Sequence, residues 1–224
     1  MTKVVAFDVN ETLLDLRALD DDFEELFGST SMRGQWFSQM LQLSFVGGLT
    51  GQYVDFTAAQ RAALRMVAQR AGTSVSEAEI TRIVDRMSAL PAHPEVEGAL
   101  SRLRATSLGV VALVNSLPEV GEAQLKHAGI RDFFDRVISA DSVKRLKPAP
   151  ESYRAVAELY KIPISELRLV AAHSWDVSGA LAAGARAAFV TRPGMVLSPL
   201  GDQPDIVEPD IAAVVDRIVA VDLS

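Results

Sequence analysis

In the stretch FDVNETLLD, residues 7 to 15, one aspartate stands at the end of an apolar run and opens a polar turn. The run before it, KVVAF, has the β-branched content and length of a buried strand. Asp8 therefore falls at a strand's carboxyl end, where open α/β sheets bind ligands. A carboxylate there is a candidate nucleophile, although by position alone such an acid is more often a turn former or helix cap. Its company weighs toward chemistry. Asn10 and Thr12 follow the same strand, Asn115 and Ser116 follow a second apolar run, Lys147 lies beyond a third, and His173 and Asp176 follow a fourth. Polar side chains at the ends of successive apolar runs form one rim of a sheet, the default ligand site of a doubly wound architecture. The chain has no cysteine, which removes disulfides, thiolate catalysis and thiolate zinc sites.

The elements that must place these residues read as an α/β fold. Segments 4–7, 109–114, 136–139, 168–172 and 185–190 are short and rich in Val, Leu, Ile or Ala, as buried strands are. Helical patterns at 118–128, 149–160, 175–183 and 209–221 alternate with them, which predicts a parallel sheet; Pro209 suits a first-turn position. The stretch between the first two strands is far longer than a usual crossover and reads as helix at 18–27, 35–45, 54–71 and 75–87. That pattern predicts an inserted helical cap, 15–96, on a core of 1–14 and 97–224. Within the cap, TSVSEAE carries a capping-type helix start, and the prolines at 91 and 94 mark the return to the core.

Composition narrows the partners. A chain of 224 residues with 49% hydrophobic content can fill a substantial core. With 22 Lys+Arg against 29 Asp+Glu, a net of -7, it has no electrostatic footprint for nucleic acid or an anionic membrane surface, so small molecules are the expected ligands. No apolar run reaches the roughly 18 residues of a membrane span, and no basic segment leads into an apolar one at the start, so a cytoplasmic protein is expected.

The motifs FDVNETLLD, LVNS, LKPAPESY and VAAHSWD, in this order, resemble the haloacid dehalogenase superfamily over nearly the whole chain, and most closely its L-2-haloacid dehalogenase (type II) branch. The resemblance implies a Rossmann-like core with a helical cap. In the superfamily's phosphatases the position of Asn10 is a second aspartate serving as acid/base, and further acids after the fourth strand help hold magnesium. An amide moves no proton usefully at neutral pH, and AAHSWD supplies one carboxylate, so no metal or cofactor is expected. The implied substrate is a 2-haloalkanoic acid, with halide as leaving group.

Roles follow from the resemblance residue by residue. Asp8 would displace halide from C2 and carry the ester, with Lys147 keeping it ionised. Lys147 alone also reads as a surface lysine before a proline turn. His173, with an ordinary pKa of about 6.5, would activate water, at a position where many relatives carry asparagine. His93 and His127 flank helices and read as structural. Asp176 would orient Lys147 or the water, or else is a helix-start acid. Arg33 matches the family's halide and carboxylate arginine, beside an apolar pocket of Trp36, Phe37 and Phe45, although aromatics at this spacing are first of all core. Asn10, Thr12, Asn115 and Ser116 would hold the substrate, and Tyr153 matches a position near the active site. Two departures stand out: Val114 replaces a Ser or Thr whose hydroxyl contacts the ligand, and Ala171 replaces a frequent serine. The resemblance also implies a homodimer through the inserted helices. The apolar LQLSFVGGL fits that contact and fits core equally well. Competing readings are a phosphatase and a non-catalytic binding protein on the same fold.

Overall fold

The computed structural model describes residues 1–223. Six strands form one parallel sheet: β1 (Val4–Phe7), β2 (Gly109–Val114), β3 (Arg136–Ser139), β4 (Leu167–Ala171), β5 (Arg186–Val190) and β6 (Ile206–Glu208). Their order is β3-β2-β1-β4-β5-β6, so the chain runs outward from β1 on one side and then crosses to β4 on the other. The reversal makes the carboxyl end of β1 the topological switch point, and Asp8 is the next residue. Strand β1 pairs with β2 and β4 in register and is buried on both faces, which is why it carries an unbroken apolar run. Val5 and Phe7 face one core layer, and Val4 and Ala6 face the other, as the two-residue period of a strand dictates.

The inserted stretch builds α1 (Asp20–Phe27), α2 (Ser31–Thr50), α3 (Phe56–Ala71) and α4 (Glu77–Arg86). Trp36 is fully buried within them, donating its indole N–H to the carbonyl of Gln60 at 2.9 Å and packing 5.3 Å from Phe23. The helix starts have local causes. Asp55 caps α3 through the N–H of Ala58, and Ser76 and Glu79 close the capping box expected from TSVSEAE. The core helices are α5 (Val96–Arg104), α6 (Pro118–His127), α7 (Pro150–Tyr160), α8 (Ser174–Ala182) and α9 (Ile211–Asp222). No helix among the described residues is long and apolar enough to cross a membrane.

Several expectations shift. Helix α2 extends well beyond 35–45 at both ends, running through Gly34, Gly47 and Gly48 as far as Gly51, whose φ of 71° ends it. Helix α5 went unread in the return segment. Strand β6 also escaped detection, since three residues at a sheet edge give too little periodicity. Pro209 lies outside α9, which is capped instead by Asp210 accepting from the N–H of Ala213 at 2.8 Å.

Glycine at 179, in α8, is set by contact rather than by backbone angle. A Cβ there would lie 2.5 Å from Cβ of Pro148 and 2.7 Å from Oη of Tyr153. Gly34, in α2, has open space around the same position. Gly179→Ala is therefore expected to destabilise the protein by about 1–3 kcal/mol, whereas Gly34→Ala stabilises it by up to about 1 kcal/mol. Denaturant unfolding of the two variants checks this opposition of sign.

Candidate active site

The turn after β1 delivers Asp8 to the rim, nearly buried, with its N–H bonded to the carbonyl of Val170 on β4. Lys147 Nζ donates to Asp8 Oδ1 at 2.8 Å and to Asp176 Oδ2 at 2.7 Å. Thr12 donates its hydroxyl to Asp8 Oδ2 at 2.6 Å and accepts the N–H of Ala172 at 2.9 Å, which fixes the direction of its proton. Burial would raise the pKa of Asp8, but Lys147 and His173 outweigh it and hold the carboxyl well below its ordinary range. Burial likewise works against the Lys147 ammonium, and Asp176 and Asp8 overcome it, so its pKa is raised.

A layer of side chains behind these groups keeps them in place. Asn115 clamps the Lys147 backbone, accepting its N–H at 2.7 Å and donating to its carbonyl at 3.2 Å. Tyr153, fully buried, donates to Asp176 Oδ1 at 2.5 Å. Thr12 and Tyr153 thus orient charged groups and do not line the cavity, contrary to the expectation that they hold substrate.

His173 lies between two carboxylates, with Nδ1 3.0 Å from Asp8 Oδ2 and Nε2 2.9 Å from Glu11 Oε2. Its ring stacks between Phe37 and Trp175, with centroids 5.5 and 5.1 Å away. Burial would strip its proton, but the bonds to Asp8 and Glu11 prevail and push its pKa up to about 10. With that pKa His173 holds its proton at neutral pH in the resting site, so it must give the proton up before it could serve as the base expected from the sequence. Glu11 was missed altogether. Nothing in its residue type distinguishes it from other turn acids, and only the fold brings it to His173.

A narrow cavity of about 10 Å³, near the space one water needs, adjoins Asp8 and is walled by Val9, Phe37, Phe56, Val114 and Trp175. Asn10 and Asn115 reach it, although the Oδ1 of Asn10 is occupied by Gln124 at 2.9 Å. Arg33, Trp36 and Ser116 do not line it. Arg33 is bound to Asp20 at 2.6 Å and faces Glu11 at 3.5 Å, Trp36 belongs to the helical core, and the carbonyl of Ser116 accepts from Ser139. Of the other aromatics, Phe37 lines the cavity, while Phe45 stands one layer out against Trp175. Among the described residues no group of three His, Asp or Glu side chains is arranged to hold a metal ion. A divalent cation bridging Asp8 and Asp176 does not fit, because Nζ of Lys147 occupies that place.

A parallel sheet of this order, with a carboxylate–ammonium–carboxylate row at its switch point, defines a hydrolase-type α/β site. The model of the haloacid dehalogenase-like hydrolases matches residues 2–184, and the chain belongs to that family, in its L-2-haloacid dehalogenase branch. The chain is 30% identical over 203 residues to (S)-2-haloacid dehalogenase 2 of Pseudomonas sp. (strain CBS-3), covering 90% of this chain and 89% of that one. It is 29% identical to haloacetate dehalogenase H-2 of Moraxella sp. (strain B), over 96% of this chain and 97% of that one. The structure of L-2-haloacid dehalogenase from Xanthobacter autotrophicus with chloropropionic acid covalently bound superposes with a TM-score of 0.90 at 26% identity, over 99% of both chains.

The charge on His173 links the site to stability. A histidine whose folded pKa exceeds its unfolded value of about 6.5 stabilises fully below that pH and loses the contribution as pH rises through its folded pKa. The stability advantage of the wild type over His173→Asn is expected to hold below pH ~6.5 and to shrink toward pH 10. Thermal melts of both proteins across this range measure it.

Proposed function

We propose that the protein hydrolyses short-chain 2-haloalkanoic acids, exchanging halide for hydroxyl through an ester on Asp8 and without a metal ion. The observation that carries this reading is a buried carboxylate held ionised between two cations, Lys147 and His173, at an apolar cavity. Such an oxygen is poorly hydrated and strongly nucleophilic toward carbon. It attacks C2, the carbon–halogen bond breaks with inversion, and halide departs into the field of the two cations. Water then adds to Cγ of the ester, the Cγ–O bond to the substrate breaks, and the Asp8 carboxylate returns. The row Asp176–Lys147–Asp8 stays paired throughout, so the ammonium can follow the charge as it leaves the nucleophile and comes back.

The dehalogenases to which the chain is similar support the substrate class, and the covalent adduct in the Xanthobacter protein supports the ester. Asn10 argues against phosphate ester hydrolysis, because the second acid that such chemistry uses is an amide here. At about 10 Å³ the cavity is too small for a 2-haloacid, and movement of the inserted residues 15–96 as a cap would make room for substrate to enter. A homodimer formed through the outer end of α2, where Val46 and Leu49 are exposed, and a cytoplasmic setting complete the proposal.

Halide release from 2-chloropropionate is expected to proceed undiminished in the presence of a metal chelator and to fall at least about a thousandfold in Asp8→Asn. In a single turnover in water labelled with heavy oxygen, the label enters the Asp8 carboxylate and the first product carries unlabelled oxygen. Label appearing directly in the first product, or chelator-sensitive release of phosphate from a generic ester in place of halide, would overturn the reading.

A further inference from the structure

We infer that Gln124 is a positioning residue for substrate: it locks the carboxamide of Asn10 with its NH2 group toward the cavity, so that Asn10 donates to the carboxylate of the bound haloacid. This inference rests on the proposed substrate class. A haloacid brings its own negative charge up to the Asp8 carboxylate, and its oxygens need donors once they leave water. Most of the cavity wall has none to spare. Val9, Phe37, Phe56 and Val114 are apolar, and the side chain of Asn115 is committed to the backbone of Lys147. Lys147 Nζ already serves Asp8 and Asp176, and the ring of His173 serves Asp8 and Glu11.

The direction of the Asn10 amide follows from two linked contacts. The carbonyl of Met87 can only accept, so the atom of Gln124 that meets it at 2.7 Å is the donor Nε2. The same nitrogen lies 2.9 Å from the Asn10 amide, which must therefore present its oxygen, Oδ1. With that oxygen turned toward α6, Asn10 has its NH2 end left for the cavity it reaches, and among the described residues no group accepts from that nitrogen.

A second observation concerns Gln124 itself. It is fully buried, and its Oε1 has no hydrogen-bond partner. An unpaired buried oxygen is a cost that an apolar side chain would not incur, so what the residue contributes lies in the two bonds its nitrogen donates. Helix α6 comes close enough to make them because of Gly121, one turn earlier on the same buried face. A Cβ at Gly121 would lie 3.0 Å from Cγ2 of Val114, and its absence lets the helix settle on the end of β2.

The test compares halide release from 2-chloropropionate by the wild type, Asn10→Ala, Gln124→Met and the double variant. Loss of the Asn10 donor is expected to raise KM about tenfold to a hundredfold, as for one hydrogen bond to a charged group, with kcat kept within a few fold. Gln124→Met, which fills the same space but frees the amide to turn, should raise KM about threefold to tenfold. In the double variant it should add nothing, because the group that it positions is gone, whereas a merely structural role would make the two effects additive. A reading on the wild type alone does not depend on turnover or on how well the Gln124 variant folds. In protein carrying isotope-labelled nitrogen, the side-chain amide signal of Asn10, identified by its loss in Asn10→Ala, should shift when the unreactive carboxylate propionate is added. Halide release with an unchanged KM in Asn10→Ala, additive effects in the double variant, or an Asn10 amide unmoved by propionate overturns this inference alone. A wild type that releases no halide overturns it together with the function beneath it.

Discussion

The ammonium of Lys147, shared between Asp8 and Asp176, is the contact on which the rest of the site depends. An ammonium and two carboxyl groups out of water would be costly if any one lacked its partner, because removing one member of a buried pair leaves an uncompensated charge, and burial already raises the pKa of Asp176 against the pull of Lys147. The fold answers by over-determining the lysine. Asn115 grips its backbone, Tyr153 steadies its second carboxylate, and the bare Cα of Gly179 lets α8 approach Pro148 closely enough to bring Asp176 under Nζ. Four strand ends contribute to this arrangement, and only a doubly wound sheet with its switch point at β1 brings them to one place.

From that constraint the chemistry acquires its character. The Lys147 ammonium lies between the carboxylates of Asp8 and Asp176, and Asn10 places an amide two residues after Asp8. The second cation, His173, adds its charge from the other side of Asp8, and Phe37 and Trp175 stack on the two faces of its ring. Low hydration and doubled positive charge act in opposite directions on the carboxylate's proton affinity, and the pairing prevails. Asp8 is thereby ionised and yet poorly solvated, the condition that the proposed displacement at carbon favours.

Much of this was readable from the sequence because strand-end chemistry leaves a local trace. A buried strand followed by a polar residue identifies Asp8, Asn115, His173 and Asp176 without knowledge of packing, and the five longer strands declare themselves by apolar runs. What remained hidden was set by contacts across the chain. Thr12 and Tyr153 have the residue types of ligand-binding groups, but their hydroxyls are spent on Asp8 and Asp176. Arg33 is one turn along α2 from the residue that faces the cavity, Phe37, and a helix face cannot be fixed to one residue when the hydrophobic pattern of α2 is nearly uniform around its circumference. The charge state of His173 was unreadable because it depends on Glu11, whose place beside the ring follows from a left-handed turn that glutamate rarely adopts. Strand β6 escaped because three residues at a sheet edge give too little periodicity, whereas helix α5, with Val96, Ala99, Leu100 and Leu103 at helical spacing, had a legible pattern that was overlooked beside the prolines at 91 and 94.

The central claim is that Asp8 is a carboxylate kept ionised by its two cationic neighbours. A pH titration of the side-chain carboxyl carbon of Asp8, observed by NMR in protein carrying isotope-labelled aspartate and assigned with Asp8→Asn, tests it directly. The resonance is expected to hold its ionised position as pH falls through about 3.9, the value of a free aspartate. A titration of Asp8 centred at or above that value would mean that Lys147 and His173 do not govern its charge, and the mechanism built on an ionised, poorly hydrated nucleophile would be wrong.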